Sequence, residues 1–346
     1  MRLSIKGIAQ AAGVSHSTVS RALSDSPLVK AETKARVRRL AQEMGYSPDA
    51  IARSLVLKQT RTVGVVVTTI TDPFVAEVMQ GVEDTAQRNG YSVMLASSAS
   101  DPQRELAAVE MLRAKRVDSV IVTSSRVGAL YLEHLERIGV PLVLINSHSE
   151  QSGRYTFSVS VNNRHGGHLA TAHLIQLGHR RIAYVSGLAG HSDDAERVAG
   201  YHQALDEAGL PFDPGLVIPG NGRLEGGEQA FQVLAGLSEP PTAVFCYNDM
   251  TAIGVIAAAR QAGLSVPGDM SVVGFDDIPV AARFSPALTT VAQPQRGMGQ
   301  QAMNMALALI AAGEATAPFS NIVIQGELIV RESSGRIMVR PRRKKA

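Results

Sequence analysis

Two periodicities divide this chain. Before about residue 60 apolar positions recur at helical spacing, and from Thr62 onward they gather into short Val- and Ile-rich runs. Ile5, Ile8, Ala9 and Ala12 stand at i, i+3, i+4 and i+7, one stripe on a short helix. Gly13 follows where a tight turn needs positive φ, and Val14 supplies an apolar plug. Ser15 is placed to cap a second helix whose inward face is Val19, Ala22 and Leu23. Small Ala9 lets the two helices cross closely. The outward side of the second helix carries His16, Ser17, Ser20 and Arg21, all hydrogen-bonding groups. A helix-turn-helix presents its recognition helix to the DNA major groove in this way; an ordinary helical hairpin with a polar face is the alternative. From Ala31 to Met44 a third helix puts Val37, Leu40, Ala41 and Met44 on one face and Lys34, Arg36, Arg38 and Arg39 on the others, ending at Gly45. The three make a small core, marginal by itself.

A short segment follows, Ser47-Pro48-Asp49-Ala50-Ile51-Ala52-Arg53-Ser54-Leu55-Val56. Ser47 can cap, Pro48 suits a first helical position and Asp49 favours the positive end of the helix dipole. The helix is under three turns long and folds only when something holds it.

After it the pattern alternates between strands and helices. TVGVVVT (62–68), YSVMLASS (91–98), DSVIVTS (118–124), PLVLIN (141–146) and FSVSVN (157–162) read as buried parallel strands separated by amphipathic helices. The cycle repeats with RIAYVSG (181–187), LVIPG (216–220), TAVFCYN (242–248) and SVVGFD (271–276), with helices near 164–177, 194–209, 226–236 and 249–262. Two successive halves imply two doubly wound α/β subdomains facing a cleft. TTVAQP (289–294) and IVIQGELIVRES (322–333) flank one more helix.

Charge sharpens the division. The net charge is +3, yet residues 1–60 hold ten Lys/Arg against four Asp/Glu, and residues 336–346 hold six basic and no acidic residues, leaving −9 over 61–335. A basic head on an acidic body points to phosphate binding by one segment. A chain of 346 residues needs two or three domains. No apolar run reaches a membrane span and the N-terminus lacks a signal-peptide core, so no membrane partner is expected. The lone Cys246 forms no internal disulfide and fits a reducing cytoplasm.

Together LSIKGIAQAAGVSHSTVSRAL, GYSPDAIARSL and several later motifs, in the family's order, resemble the lactose-repressor (LacI/GalR) family of bacterial transcription regulators, from about Leu3 to Ser333. The resemblance implies base reading by His16, Ser17 and Arg21. Arg suits guanine, because its two donors match O6 and N7. Ser4, Thr18 and Ser20 are expected on phosphates, setting register. The segment after Ser47 would fold as a hinge helix on DNA, with Leu55 wedged into the central base step of a palindrome and Ala52 and Arg53 beside it.

Ligands of doubly wound sheets lie at the carboxyl ends of strands. Thr69, Asp72 and Phe74 follow the first strand, Asn146 follows PLVLIN, Arg197 opens a helix, Asn248 and Asp249 follow TAVFCY, Asp276 and Asp277 follow SVVGF, and Gln293 lies at a crossover. The resemblance gives effector roles to Asp72, Phe74, Asn146, Arg197, Asn248, Asp276 and Gln293: Phe74 as an apolar wall, Arg197 and Asp276 as opposed clamps, Asn248 as a hydroxyl reader. Asp249 and Asp277 read mainly as helix caps. Side chains that both donate and accept, beside an aromatic ring, suit a sugar. Many relatives carry an aromatic in the loop after LVIPG, where this chain has Asn221-Gly222-Arg223-Leu224. That departure removes stacking from one side, weakens a purine reading and opens an anionic effector near Arg223.

Other chemistries find no support. Gly220 to Gly226 has the wrong spacing for a dinucleotide loop, and no Gly-Lys-Ser/Thr loop, Gly-x-Ser-x-Gly elbow or His-Glu-x-x-His helix occurs. His165, His168 and His173 do not share one helical face, so no metal or other cofactor is expected. A solute-binding protein without DNA function would carry a secretion signal and no basic head. The tail RIMVRPRRKKA lacks the leucine heptads that make tetramers, so a homodimer is expected.

The sequence therefore predicts a helix-turn-helix domain (1–46), a hinge helix and linker (47–60), a periplasmic-binding-protein-like core (61–335) and a basic tail (336–346). Within the core, 61–161 plus 292–322 would form the first subdomain and 162–291 plus 323–335 the second. The expected function is a cytoplasmic, non-enzymatic, dimeric repressor of double-stranded operator DNA under a small effector. That effector is a sugar or, alternatively, a nucleobase or phosphorylated corepressor.

Overall fold

The computed structural model describes residues 4–46, 59–125, 140–147, 156–313 and 320–337. The expected hinge helix with Ala52, Arg53 and Leu55, and the tail beyond Ile337, lie outside the described residues. The chain divides into two compact units, the second beginning after Arg61.

The first unit is a three-helix domain of α1 (Ile5–Ala12), α2 (His16–Leu23) and α3 (Ala31–Glu43). Ile8, Ala9, Ala12, Val19, Ala22, Val29, Val37 and Ala41 form its buried core, with Val14, Leu23, Leu40 and Met44 packed around it. Gly13 takes φ +64°, and the Val14 amide donates to the Ala9 carbonyl at 3.0 Å, closing the turn. Ser15 caps α2 by accepting the Thr18 amide at 3.1 Å. Asp25, at φ 58°, bonds Lys34 at 3.1 Å and Arg38 at 2.7 Å, tying the loop after α2 to α3. Those two cations, Lys34 foremost, hold its carboxyl below the usual carboxylate range.

The second unit holds two six-stranded sheets, so the chain is a three-helix unit followed by two α/β lobes. Strands and helices alternate: β1 (Thr62–Val67), α4 (Pro73–Arg88), β2 (Ser92–Ser97), α5 (Pro102–Ala114), β3 (Ser119–Thr123), β4 (Leu142–Ile145), β5 (Thr156–Val161), α6 (Asn163–Gln176), β6 (Ile182–Val185) and α7 (Ser192–Glu207). Then come β7 (Val217–Ile218), α8 (Leu224–Ala235), β8 (Ala243–Cys246), α9 (Asp249–Gln261), β9 (Ser271–Asp276), β10 (Thr289–Ala292), α10 (Gln295–Ala312), β11 (Ile322–Ile324) and β12 (Glu327–Ile329). The first sheet runs β11-β5-β4-β3-β1-β2, all parallel, and the second β12-β10-β9-β8-β6-β7, with β12 alone antiparallel. Val63, Val65 and Ile121 pack with α4 and α10, whereas Val66, Val120 and Val122 pack with α5, so helices bury both faces.

The chain crosses between lobes three times, after Val161, after Ala292 and after Ile324. IVIQGELIVRES, one strand by pattern, is therefore two strands in two sheets. Val323 and Ile324 pair with Ser160 and Val161 of the first lobe, and Ala292 pairs with Asp276 of the second. Both depart from the subdomain boundaries drawn from sequence by one or two residues, because a uniform apolar run does not reveal which neighbour it hydrogen-bonds. At the break, a Cβ on Gly326 would lie 3.1 Å from the Ala292 carbonyl oxygen and 3.4 Å from Val161, so the three crossings press together there.

Three helix pairs are clasped through glycine. A Cβ on Gly81 would overlap the Arg296 carbonyl oxygen, and one on Gly299 that of Val78, joining α4 to α10. Gly167 and Gly200 meet the carbonyls of Arg197 and Arg164 between α6 and α7; Gly227 and Gly254 meet those of Thr251 and Leu224 between α8 and α9. Each pair approaches to backbone contact, and four of the six helices, α4, α7, α8 and α9, bring residues to the interlobe cleft.

Candidate functional site

On the three-helix unit the recognition-helix candidates lie outward. His16, Ser17, Ser20 and Arg21 are exposed, Thr18 is half-buried, and Ser4 is exposed at the start of α1, where its hydroxyl makes no capping bond. The Ser15 hydroxyl bonds those of Ser17 at 2.8 Å and Thr18 at 2.9 Å. Among the described residues the guanidinium of Arg21 has no ion-pair partner, which leaves its donors for an external acceptor.

The second unit holds a cleft of about 480 Å³ between its lobes, lined by residues from both. Asp72, Phe74, Asn146, Arg197, Asn248, Asp276 and Gln293 all line it. They converge because parallel strands end on one edge and hand the chain to helices there. Asp72 caps α4, its carboxylate accepting the Phe74 amide at 2.9 Å. Burial pushes the Asp72 carboxyl up, against that bond and the more distant pull of Arg223.

Arg197, on the second turn of α7, is only 1% exposed. Its Nε donates to Asn163 Oδ1 at 2.9 Å, its Nη1 donates to the Tyr247 carbonyl, and its Nη2 lies 3.7 Å from Asp193. The guanidinium carbon sits 3.7 Å from the Phe275 ring centre and 4.6 Å from that of Tyr247. Arg197 is thus a built-in strut as much as a clamp, with most of its donors committed. The Tyr247 hydroxyl donates to Asp193 at 2.8 Å, and burial pushes that phenol far above its ordinary range.

Tyr247 corrects the expectation that stacking is lost beside Asn221–Leu224. It lines the cleft, and Cβ atoms on Gly187 and Gly222 would come within 2.9 Å and 3.4 Å of its ring, so an aromatic ring does border that loop. It follows strand β8 directly, a position where pattern alone makes it one more core aromatic. Asp193, also missed, was hidden in the acidic first turn of α7.

Asn248 caps α9. Its Oδ1 accepts the Thr251 amide at 2.9 Å and the Thr251 hydroxyl at 2.7 Å, and its Nδ2 donates to the Gly222 carbonyl at 2.9 Å. Its capacity to read a ligand hydroxyl is correspondingly narrow. Asp249 and Asp277 do not cap. The Asp249 carboxylate accepts the Ile278 amide at 2.9 Å and the Thr290 hydroxyl, and Asp277 pairs with Arg331 at 2.6 Å. Burial pushes Asp249 up to about 7 despite those bonds.

At the hinge, Gln293 Nε2 donates to Asp276 Oδ1 at 2.6 Å, and Asn146 Nδ2 donates to Gln293 Oε1 at 3.1 Å. The Asp276 carbonyl accepts the Gln293 amide at 3.1 Å and the Gln295 side chain. Burial pushes the Asp276 carboxyl well up, while Arg197 pulls it down. Asn146 and Asp276 hold φ +52° and +116°, left-handed values that cost free energy for a side-chain-bearing residue.

The histidines take structural partners: His168 bonds Glu207 at 2.7 Å and His173 bonds Ser334 at 2.9 Å. No metal-competent cluster exists among the described residues, and no helix there is long and apolar enough to cross a membrane. Cys246 is buried, and that burial pushes its thiol up.

Residues 4–49 match the model of the bacterial regulatory proteins of the lacI family, and residues 171–334 match a periplasmic binding protein-like domain. The chain is 36% identical over 335 residues to the HTH-type transcriptional repressor PurR of Haemophilus influenzae strain PittEE, covering 95% of this chain and 98% of that protein. Among solved structures it resembles the lac repressor dimer bound to operator and the anti-inducer ONPF, with TM-score 0.87, 26% identity, and 97% and 100% of the two chains covered. It also resembles the transcriptional regulator CelR in complex with cellobiose, with TM-score 0.73, 31% identity, and 96% and 100% covered.

Proposed function

The chain belongs to the lacI family of bacterial regulatory proteins and is a DNA-binding transcriptional regulator; from that premise we propose that it represses from an inverted-repeat operator as a homodimer controlled by an uncharged sugar or sugar derivative. Its place of work is then the cytoplasm, where that DNA is.

The cleft's balance of donors and acceptors carries the effector reading. Asp72, Asp193 and Asp276 present carboxyl oxygens, while the buried cation, Arg197, is already shared among Asn163, Tyr247 and Asp193. A polyol brings many hydroxyl donors and no charge, and Phe74 and Tyr247 offer apolar surface for its ring. A phosphorylated effector fits poorly. Asp72 and Asp249 already sit at the positive ends of α4 and α9, and among the described lining residues Arg223, in the loop after β7, is the one further arginine or lysine. A flat nucleobase is the second reading, favoured by the same two rings. The cellobiose held by the CelR neighbour supports the first.

On DNA, His16, Ser17 and Arg21 read bases, Ser4, Thr18 and Ser20 hold phosphates, and Leu55 with Ala52 and Arg53 acts in the minor groove. An effector that closes the lobes changes the spacing of the paired first lobes in a dimer and so favours or melts the hinge helices.

Selection from a random duplex pool should enrich inverted repeats, with affinity falling steeply as salt rises. Melting curves with glucose, ribose, cellobiose, ribose 5-phosphate and hypoxanthine should show the largest stabilisation from a neutral sugar. Enrichment of no inverted repeat would overturn the operator reading. A shift from hypoxanthine alone would overturn the sugar.

A further inference from the structure

The interlobe hydrogen bonds run in one direction, and that direction has a source. Asp276 Oδ1 accepts from Gln293 Nε2, and this bond fixes which end of the Gln293 amide faces the second lobe. Gln293 must then turn Oε1 toward Asn146, and Asn146 must answer with Nδ2. Asn146 follows strand β4 of the first lobe, Asp276 ends β9 of the second, and Gln293 lies in the crossing between β10 and α10. Gln293 is 3% exposed, with each end of its amide on a different lobe.

Both ends of this bridge are held under stress. Asn146 and Asp276 sit at positive φ, and Asn146 Oδ1, turned away by the polarity of the bridge, is buried without a partner among the described residues. A buried acceptor left unpaired and two left-handed side-chain residues mark an arrangement with a competing alternative. A segment that spans a hinge and has two arrangements is what couples a ligand to a change of shape.

Resting on the reading of the cleft as an effector site, we propose that Gln293 is a positioning residue that transmits occupancy rather than a reader of the effector. A ligand hydroxyl that takes the Asp276 carboxylate competes with Gln293 Nε2. The bridge then loosens or reverses, Asn146 exchanges its partner, and the lobes settle at a new angle. The effector reaches Gln293 only through its neighbours.

The test separates affinity from coupling. Wild type, Gln293→Leu and Asn146→Asp are titrated with glucose, ribose, cellobiose and hypoxanthine by calorimetry. Operator affinity is then measured with and without each saturating probe. Asn146→Asp breaks the other end of the same bridge, since a carboxylate cannot donate to Gln293 Oε1, and it serves where Gln293→Leu fails to fold. For the probe that moves wild-type operator affinity tenfold or more, both variants should bring that ratio below about twofold. The loss of ratio should exceed the loss of probe affinity. A variant that loses probe affinity tenfold while its ratio stays at the wild-type value makes Gln293 a ligand contact and overturns the proposal, as does a variant unchanged in both. Failure of wild type to bind any probe is a separate result: it overturns the effector reading and takes the coupling role with it.

Discussion

Gly167 lies against the backbone carbonyl of Arg197 so closely that a methyl group on it would occupy the oxygen's place. The position of the buried Arg197 guanidinium in the cleft is therefore set in part by a residue with no side chain, thirty residues earlier in the chain. The reciprocal contact of Gly200 with Arg164 closes the clasp. Binding geometry here rests on helix spacing as much as on polar partners.

Substituting that clasp should cost both stability and binding. Gly200→Ala forces Cβ into the Arg164 carbonyl and the helices apart, an overpacking worth about 1–3 kcal/mol or more. Gly236→Ala is the control: it ends α8 at φ −81°, where a Cβ meets its neighbours at 3.5 Å, so it should be neutral or slightly stabilising. Urea denaturation of both variants decides the point, with equal midpoints counting against the clasp.

Arg21→Ala should weaken the selected operator by about 1–3 kcal/mol and relax preference at one base pair per half-site. Ser4→Ala should instead weaken all sequences alike. Competition binding against single-base operator variants distinguishes the two patterns.

Leu55→Ala should lower affinity for the intact palindrome while leaving binding to an isolated half-site nearly unchanged, because an unstacking wedge acts at the centre of a paired site. Equal losses on both duplexes would remove the wedge.

The pH response follows from burial of carboxyls. Asp249 is pushed from 3.8 up to about 7, so between those values the folded chain keeps a proton that the unfolded chain has released. Stability is then fully present below about pH 4 and declines as pH rises to about 7, by about 4 kcal/mol for this group. Asp72, Asp194 and Asp276 shift the same way and add with the same sign. In Asp249→Asn the amide can keep the Ile278 and Thr290 contacts without ionising, so the decline between pH 4 and 7 should shrink. Chemical melts at pH 5 and 8 measure it; an unaltered difference between them would remove Asp249 as a source.

What local pattern determines was legible in the chain. Residues three or four apart set a helical stripe, so Ile5 to Leu23 announced two crossing helices and an outward polar face. Alternating strands and helices announced parallel sheets, and the order of strand ends put Asp72, Asn146, Arg197, Asn248, Asp276 and Gln293 on one edge. Tertiary structure alone decided what those groups do to one another. Arg197 stacks on Phe275, Tyr247 sets an aromatic ring beside Gly222, Asp249 ties a loop and a strand instead of capping, and Gln293 joins Asn146 to Asp276. The hydrogen-bonded pairs among these lie from 17 to 147 positions apart. Their contact depends on which strands become neighbours and how closely glycine lets helices approach, and periodicity within a segment carries no record of either.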